Sequence, residues 1–221
     1  TDKQATGREV DEVKILDLFC GAGGAAMGLH RAFPDAEIVG VDIKPQPHYP
    51  FKFVLTDALT YPLEGFDFIW ASPPCQGYSV TKSVYRREHP LLIPAVRRRL
   101  KESGAWYTIE NVPGAPLQNP IMLCGTMFGL NTIRHRLFEC KPILYFPPFT
   151  CNHWKKVVRA GREPCDHEFH SVVGHHSGVQ KAKEAMGIDW MTQIELAQAV
   201  PPAYSEWIGL QLKEILARKV A

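Results

Sequence analysis

An open α/β sheet covered by helices on both faces is the fold class this sequence predicts, on three observations. Short apolar runs alternate along the chain with helical patterns, in the order VKILDLF, GGAAMGLHRAF, EIVGVDI, FKFVL, FDFIWAS, a long Arg-rich segment and AWYTIENV. The Val, Ile, Leu and Phe runs are continuous, not alternating, as a parallel strand requires when both its faces are covered. The first run, moreover, passes through the turn CGAGG into a helical pattern, an arrangement that aims backbone N–H groups at a ligand.

Taken in order, VKILDLF is the first strand, GGAAMGLHRAF the first helix and EIVGVDI the second strand. KPQPHYP then puts three prolines in seven residues, so the connection to FKFVL is an extended loop and not a helix. FDFIWAS runs directly into PPCQGYS, and AWYTIENV closes the strand series. Beyond Cys140 the chain becomes rich in Pro, His, Gly and Cys with no sustained helical period. The expected organisation is a catalytic and cofactor-binding domain over 1–140, a small irregular lobe over 141–186, and a segment over 187–221 that returns to the first domain. In that last segment Thr192 is placed to cap TQIELAQAV, and YSEWIGLQLKEILARK forms an amphipathic helix after Pro201 and Pro202.

With 45% hydrophobic and 22% charged residues, these 221 residues can bury a proper core. No apolar run approaches bilayer length, so no membrane role is expected. TDKQATGREVDEV lacks the basic-then-apolar pattern of a secretory signal, and a cytoplasmic location is expected. There the six cysteines stay reduced, each a candidate thiol, core residue or metal ligand. A net charge of +2 is too mild to announce a nucleic-acid partner. Two local clusters, Arg86, Arg87, Arg97, Arg98, Arg99 and Lys101, then Lys155, Lys156, Arg159 and Arg162, suit either phosphate contacts or solvated faces.

Chemistry concentrates at two places. Asp17, Asp42 and Asp57 fall at or near the ends of three successive strands, the edge where such sheets bind ligands, and Asp42 is spaced from the glycine turn as a ribose-binding carboxylate is. The turn reads GAGG, not GxGxxG, and no phosphate-binding Lys follows, which favours an adenosine ligand without a pyrophosphate. A strand-end Asp also serves as an ordinary helix cap. The second place is Cys75, just past a strand tip, with two prolines before it and Gly77 after it; a lone cysteine is otherwise a buried core residue.

DLFCGAGG, SPPCQGYS, IENVPG and RHRLFE, in that order, with LCGTMFGL before the arginines and AQAVPPAYSEWIG near the end, resemble the ordered motif series of the cytosine C5 DNA methyltransferases. The resemblance spans nearly all of the chain except the lobe. It implies a Rossmann-like methyltransferase fold with a mostly parallel sheet, S-adenosylmethionine as methyl donor with no metal needed for the chemistry, and a monomer acting on duplex DNA with the target cytosine flipped out. The compact chain looks like those that phages and prophages encode, in a bacterial or phage-infected cell, where such enzymes serve restriction-modification.

Carried over position by position, the resemblance makes Cys75 the nucleophile and Glu110 the acid of the ENV motif. Carbon 5 of cytosine is a poor nucleophile, so a thiolate first adds at carbon 6 to give an enamine. Glu110 then neutralises the ring by bonding N3 and the exocyclic amine. In RHRLFE the arginines alternate, so on an extended strand Arg134 and Arg136 share a face. Arg136 is assigned to the cytosine O2 and Arg134 to cofactor-side or catalytic-loop contacts. Phe19 stacks near the adenine, Asp42 holds the ribose and Asp57 the adenine amine, with Ile43 and Ala58 also among the cofactor-binding residues. Gly21, Ala22, Gly23 and Gly24 hold the methionine end, and Asp17 is a further cofactor-binding residue. Pro74 borders the sulfur and Gln198 reaches the cofactor. Two positions depart from the family pattern: Thr132 stands where Gln is usual, and Ala197 with Gln198 where Gly-Asn is usual.

The lobe is the largest departure. Fewer than about fifty residues carry few base-reading side chains, so a specificity of about two bases is expected. Cys151, His153, Cys165 and His167, with His170 and Cys140 nearby, offer a tetrahedral zinc set or, alternatively, loop cysteines and DNA-facing histidines. His175 and His176 have no assigned role. Competing readings are a cytosine C5 methyltransferase of RNA or free nucleotide, and a catalytically silent DNA-binding relative.

Overall fold

The computed structural model describes residues 13–78, 89–145, 147–159, 161–174 and 176–220; Arg86, Arg87 and His175 fall outside the described residues. Five strands are parallel: β1 (Lys14–Leu18), β2 (Glu37–Asp42), β3 (Lys52–Leu55), β4 (Phe68–Ala71) and β5 (Trp106–Asn111). β6 (Ile121–Leu123) and β7 (Arg136–Lys141) complete a seven-stranded sheet in the order β3-β2-β1-β4-β5-β7-β6, with β7 antiparallel to both its neighbours. The expected mostly parallel α/β sheet is present. β4 is buried at all four positions, which accounts for its unbroken apolar run.

Strand order reverses between β1 and β4, where an open α/β sheet leaves a crevice at its carboxyl edge. Leu18 pairs with Ala71 and with Val41, and Ala71 pairs with Ile109. The register therefore delivers the glycine turn, the end of β2, the PPC loop and Glu110 to one edge.

Helix α1 (Gly24–Ala32) packs with α5 (Pro202–Val220) on one face, over Ile15, Leu29, Trp70, Phe138 and Tyr204. The contact is too close for side chains: a Cβ on Gly24 would lie 2.3 Å from Val200 O, and one on Gly28 2.0 Å from Pro202 O. Helix α2 (Ile93–Ser103) sends Val96 and Leu100 into the other core, with Leu16, Val41, Ile69 and Ile109. Between β2 and β3 the proline-rich connection contains no helix, as expected, and Tyr49 from it packs on β2 where Gly40 leaves room.

The lobe carries a two-stranded parallel pair, β8 (Lys156–Val157) and β9 (Glu168–Phe169). Its last eight residues form helix α3 (Val179–Met186), a difference from the sequence expectation. Three residues, Ala182, Ala185 and Met186, make its whole buried face, too few to register as a period, and Gly178 and Gly187 bracket it. Ala182 and Met186 pack with Ile188, Met191 and Leu196 against Ala22. Helix α4 (Gln193–Gln198) opens on the expected cap: the Thr192 amide and hydroxyl both donate to the Glu195 carboxylate at 2.7 Å. Among the described residues, no helix is long and apolar enough to cross a membrane.

Candidate active site

At the carboxyl edge the sheet opens into a cavity of about 290 Å³. The β1 turn and the end of β2 contribute Asp17, Phe19, Gly21, Ala22, Gly24, Asp42 and Ile43; the β4 and β5 ends contribute Pro74, Cys75 and Glu110. Arg136 from β7 and Gln198 from α4 complete the predicted residues found there. Gly23, Asp57, Ala58 and Arg134 are not part of the lining. Gly23 faces Tyr49 and Pro50. Asp57 Oδ1 accepts the Leu59 amide at 2.9 Å, the same turn contact that Asp42 Oδ1 makes with Lys44, and Ala58 is buried in the α2-side core.

Cys75 is half-buried on a loop fixed from below: Asn111 Nδ2 donates to Pro73 O at 2.8 Å, and Tyr78 N to Cys75 O at 2.9 Å. Burial and the neighbouring Glu110 carboxylate push the thiol pKa up, while Arg136 and Arg134 pull it down. Glu110 is buried, and its Oε1 lies 2.9 Å from Arg136 Nε. Burial raises its pKa against the pull of both arginines and of a hydrogen bond from Ser72, whose Oγ accepts Trp70 Nε1 at 2.9 Å. A thiol, a carboxyl biased toward its neutral form and a guanidinium thus share one chamber.

On the cofactor side, Asp42 Oδ2 accepts the Gly21 amide at 3.1 Å and Oδ1 the Lys44 amide at 3.0 Å. Phe19 has φ +57, a strained conformation for a bulky residue, at the mouth of the turn. Asp17 is 1% exposed; Tyr49 Oη donates to its Oδ2 at 3.4 Å, and Oδ1 has no partner among the described residues. Burial raises its pKa to about 8. A buried carboxylate oxygen with no donor fits an ammonium or sulfonium cation. A Cβ on Gly21 would meet nothing within 4 Å among the described residues, which leaves room for a ligand beside it. The donor set therefore fits S-adenosylmethionine.

Arg134 departs from the expected shared face. β7 begins only at Arg136, and the preceding Arg134 side chain turns to donate to Val172 O at 2.7 Å and Ala197 O at 2.8 Å, while its own carbonyl accepts Tyr204 Oη at 2.6 Å. Burial and Arg136 push its pKa down to about 9. Thr132, likewise buried, donates to His170 O at 2.9 Å. Both residues tie the lobe to the sheet.

Within the lobe Cys165 and His167 are exposed, and the Cys165 thiol donates to Glu168 at 3.3 Å. They do not join Cys151 and His153, which meet His135 and Cys124 instead. In the first basic cluster, Arg97 pairs with Glu139 at 2.7 Å and Arg99 donates to Ala58 O and Tyr61 O, so both serve the fold. Sequence reading missed Trp190, whose Nε1 donates to Ala22 O at 2.8 Å, and Glu195, which lines the cavity and bonds His48 at 2.9 Å. The Thr192–Glu195 spacing was the one signal that pointed to Glu195.

Residues 13–119 match the model of the family described as C-5 cytosine-specific DNA methylase, a stretch that includes Cys75 and Glu110. The crystal structure of the S. pombe Dnmt2 methyltransferase superposes on 92% of this chain and 99% of its own, with a TM-score of 0.58 at 14% identity. The mixed sheet with its helices is the fold of S-adenosylmethionine-dependent methyltransferases. Among curated proteins, the secondary metabolism regulator laeA of Monascus pilosus is 27% identical over 174 residues, 70% of this chain. The match spans 42% of that relative's length.

Proposed function

We propose that this chain, whose residues 13–119 carry the cytosine C5 methylase pattern, methylates carbon 5 of cytosine in duplex DNA, with S-adenosylmethionine as donor and Cys75 as nucleophile. The observation that carries the reading is the convergence of Cys75, Glu110 and Arg136 on the cavity that Asp17 and Asp42 also line.

Bound S-adenosylmethionine supplies the electrophilic methyl group; Asp42, Asp17, Phe19, Gly21 and Gln198 are the residues that would hold it. The Cys75 thiolate adds to carbon 6 of the flipped base. Glu110, biased toward its neutral form, donates to N3 and removes the charge that the addition creates. Arg136 holds the Glu110 carboxyl at 2.9 Å and presents its remaining donors to the base O2. After methylation, loss of the carbon 5 proton expels Cys75 and restores the ring. Arg134 acts indirectly, by bracing the cavity wall at Ala197.

The lobe supports a polyanionic duplex as substrate. Lys156 and Arg159 are exposed on it, and Lys155 Nζ sits 4.8 Å above the ring of Trp154, which is 70% exposed. We assign to residues 141–186 the reading of about two flanking bases. Tritiated methyl transfer to duplex DNA, tRNA and deoxycytidine monophosphate tests the substrate, with label expected in the duplex alone. A duplex bearing 5-fluorocytosine should trap a covalent adduct in the presence of cofactor. No adduct, together with unchanged behaviour of Cys75→Ser, would identify a silent binding protein instead.

A further inference from the structure

We propose that Cys124, His135, Cys151 and His153 form a tetrahedral zinc site that fastens the root of the lobe to the catalytic sheet. One ligand atom from each residue lies within 4.8 Å of all the others. The residues arrive from three stretches of chain: Cys124 directly after β6, His135 directly before β7, and Cys151 with His153 on the segment leading to β8. Cys124 Sγ is 3.4 Å from His153 Nε2, and Cys151 Sγ is 3.7 Å from His135 Nε2. With Zn–S near 2.3 Å and Zn–N near 2.0–2.1 Å, a regular tetrahedron has S···N edges of about 3.5–3.6 Å. The two distances bracket that value.

Ordinary packing accounts for one thiol–imidazole contact, not for two arranged crosswise around a common centre. The imidazole rings are 5.0 Å apart and tilted by 49°, so they do not stack, and both turn Nε2 toward the sulfurs. All the cysteines are free thiols, which leaves both sulfurs available as ligands. A donor set of two sulfurs and two imidazole nitrogens selects zinc over calcium or magnesium. On binding, the two thiols release their protons and the imidazoles bind neutral, so the assembled site carries no net charge. That suits a position where Cys124 is fully buried, while the exposed His153 provides the way in. The site holds its ligand independently of catalysis. It fixes His135, the residue between Arg134 and Arg136, and so positions the strand that brings Arg136 to Glu110.

The test uses the full chain reconstituted with equimolar zinc, passed over a mild chelator and assayed by elemental analysis. About one zinc per chain is expected, with Cys151→Ser and His153→Ala each retaining roughly a tenth of that or less, and Cys165→Ser retaining all of it. Cobalt(II) in place of zinc should show thiolate charge transfer and intense tetrahedral bands, and X-ray absorption of the zinc form a first shell of two sulfurs and two nitrogens. His153→Cys keeps four ligands and should retain zinc with three sulfurs, which separates loss of a ligand from loss of the fold. The proposal is overturned if the wild-type chain retains less than about a tenth of an equivalent, if cobalt shows no thiolate band, or if Cys151→Ser and His153→Ala hold zinc as the wild type does.

Discussion

Arg136 Nε and Glu110 Oε1 form an ion pair at 2.9 Å between side chains that are only 15% and 8% exposed. In so dry a setting each group depends on the other, because an unpaired buried charge costs far more than the pair contributes. Arg136→Ala should therefore destabilise the fold by about 3–5 kcal/mol. Glu110→Gln keeps a hydrogen-bonding side chain but takes the counter-charge from Arg136, so it should also cost about 3 kcal/mol in stability and in addition slow methyl transfer by roughly 10²–10⁴-fold. Urea unfolding and single-turnover rates measured on both variants distinguish the two effects.

Cys75→Ser should abolish both transfer and the 5-fluorocytosine adduct while leaving cofactor affinity within about a factor of two. Since burial and Glu110 raise the thiol pKa, the single-turnover rate should climb with pH into the alkaline range as the thiolate forms. Removing Arg136 takes away a stabilising charge, so the profile of Arg136→Ala should move to still higher pH.

Asp17 predicts a pH dependence of its own. Its pKa is raised from 3.8 to about 8 in the folded chain, so the folded state holds a proton that the unfolded state has released. That contribution to stability is full below pH 3.8 and lost as pH rises through about 8. Asp17→Asn has no such loss, so its melting temperature relative to wild type should increase between pH 5 and pH 9. Its affinity for S-adenosylmethionine, read by calorimetry above pH 8 where Asp17 is ionised, should fall about tenfold or more as a charge-assisted contact disappears.

Arg134 donates to carbonyls on both the lobe and the C-terminal segment. Arg134→Ala leaves Val172 O and Ala197 O without these donors and should cost about 3 kcal/mol or more. Limited proteolysis should then cut first between residues 147 and 178, before the sheet itself opens.

Much of the scaffold was legible because its signals are local. The unbroken apolar runs mark β1 to β5, and three prolines exclude a helix between β2 and β3. Contacts made over long sequence distances were not legible. Arg134 and Arg136 alternate in sequence, but the strand starts at the second of them, and Tyr204, Val172 and Ala197 decide where the first one goes. Asp57 looks equivalent to Asp42 in the sequence, and each accepts the amide two residues on, but Asp42 lines the cavity and Asp57 does not. Cys151 and His153 read naturally with Cys165 and His167, since nothing local shows that Cys124 and His135 end beside them.

The antiparallel insertion of β7 has a consequence for how this protein tolerates changes in length. β7 pairs Leu137 with Asn111 and Phe138 with Glu110, and it is clasped on its other edge by β6, where Arg136 faces Leu123. Adding or deleting a residue within 134–138 would turn the guanidinium to the opposite side of the sheet and put an apolar chain or an imidazole beside the carboxyl. The lobe can lengthen or shrink between β8 and β9 without touching that alignment, so variation in chain length is free to accumulate there and is barred from the five residues next door.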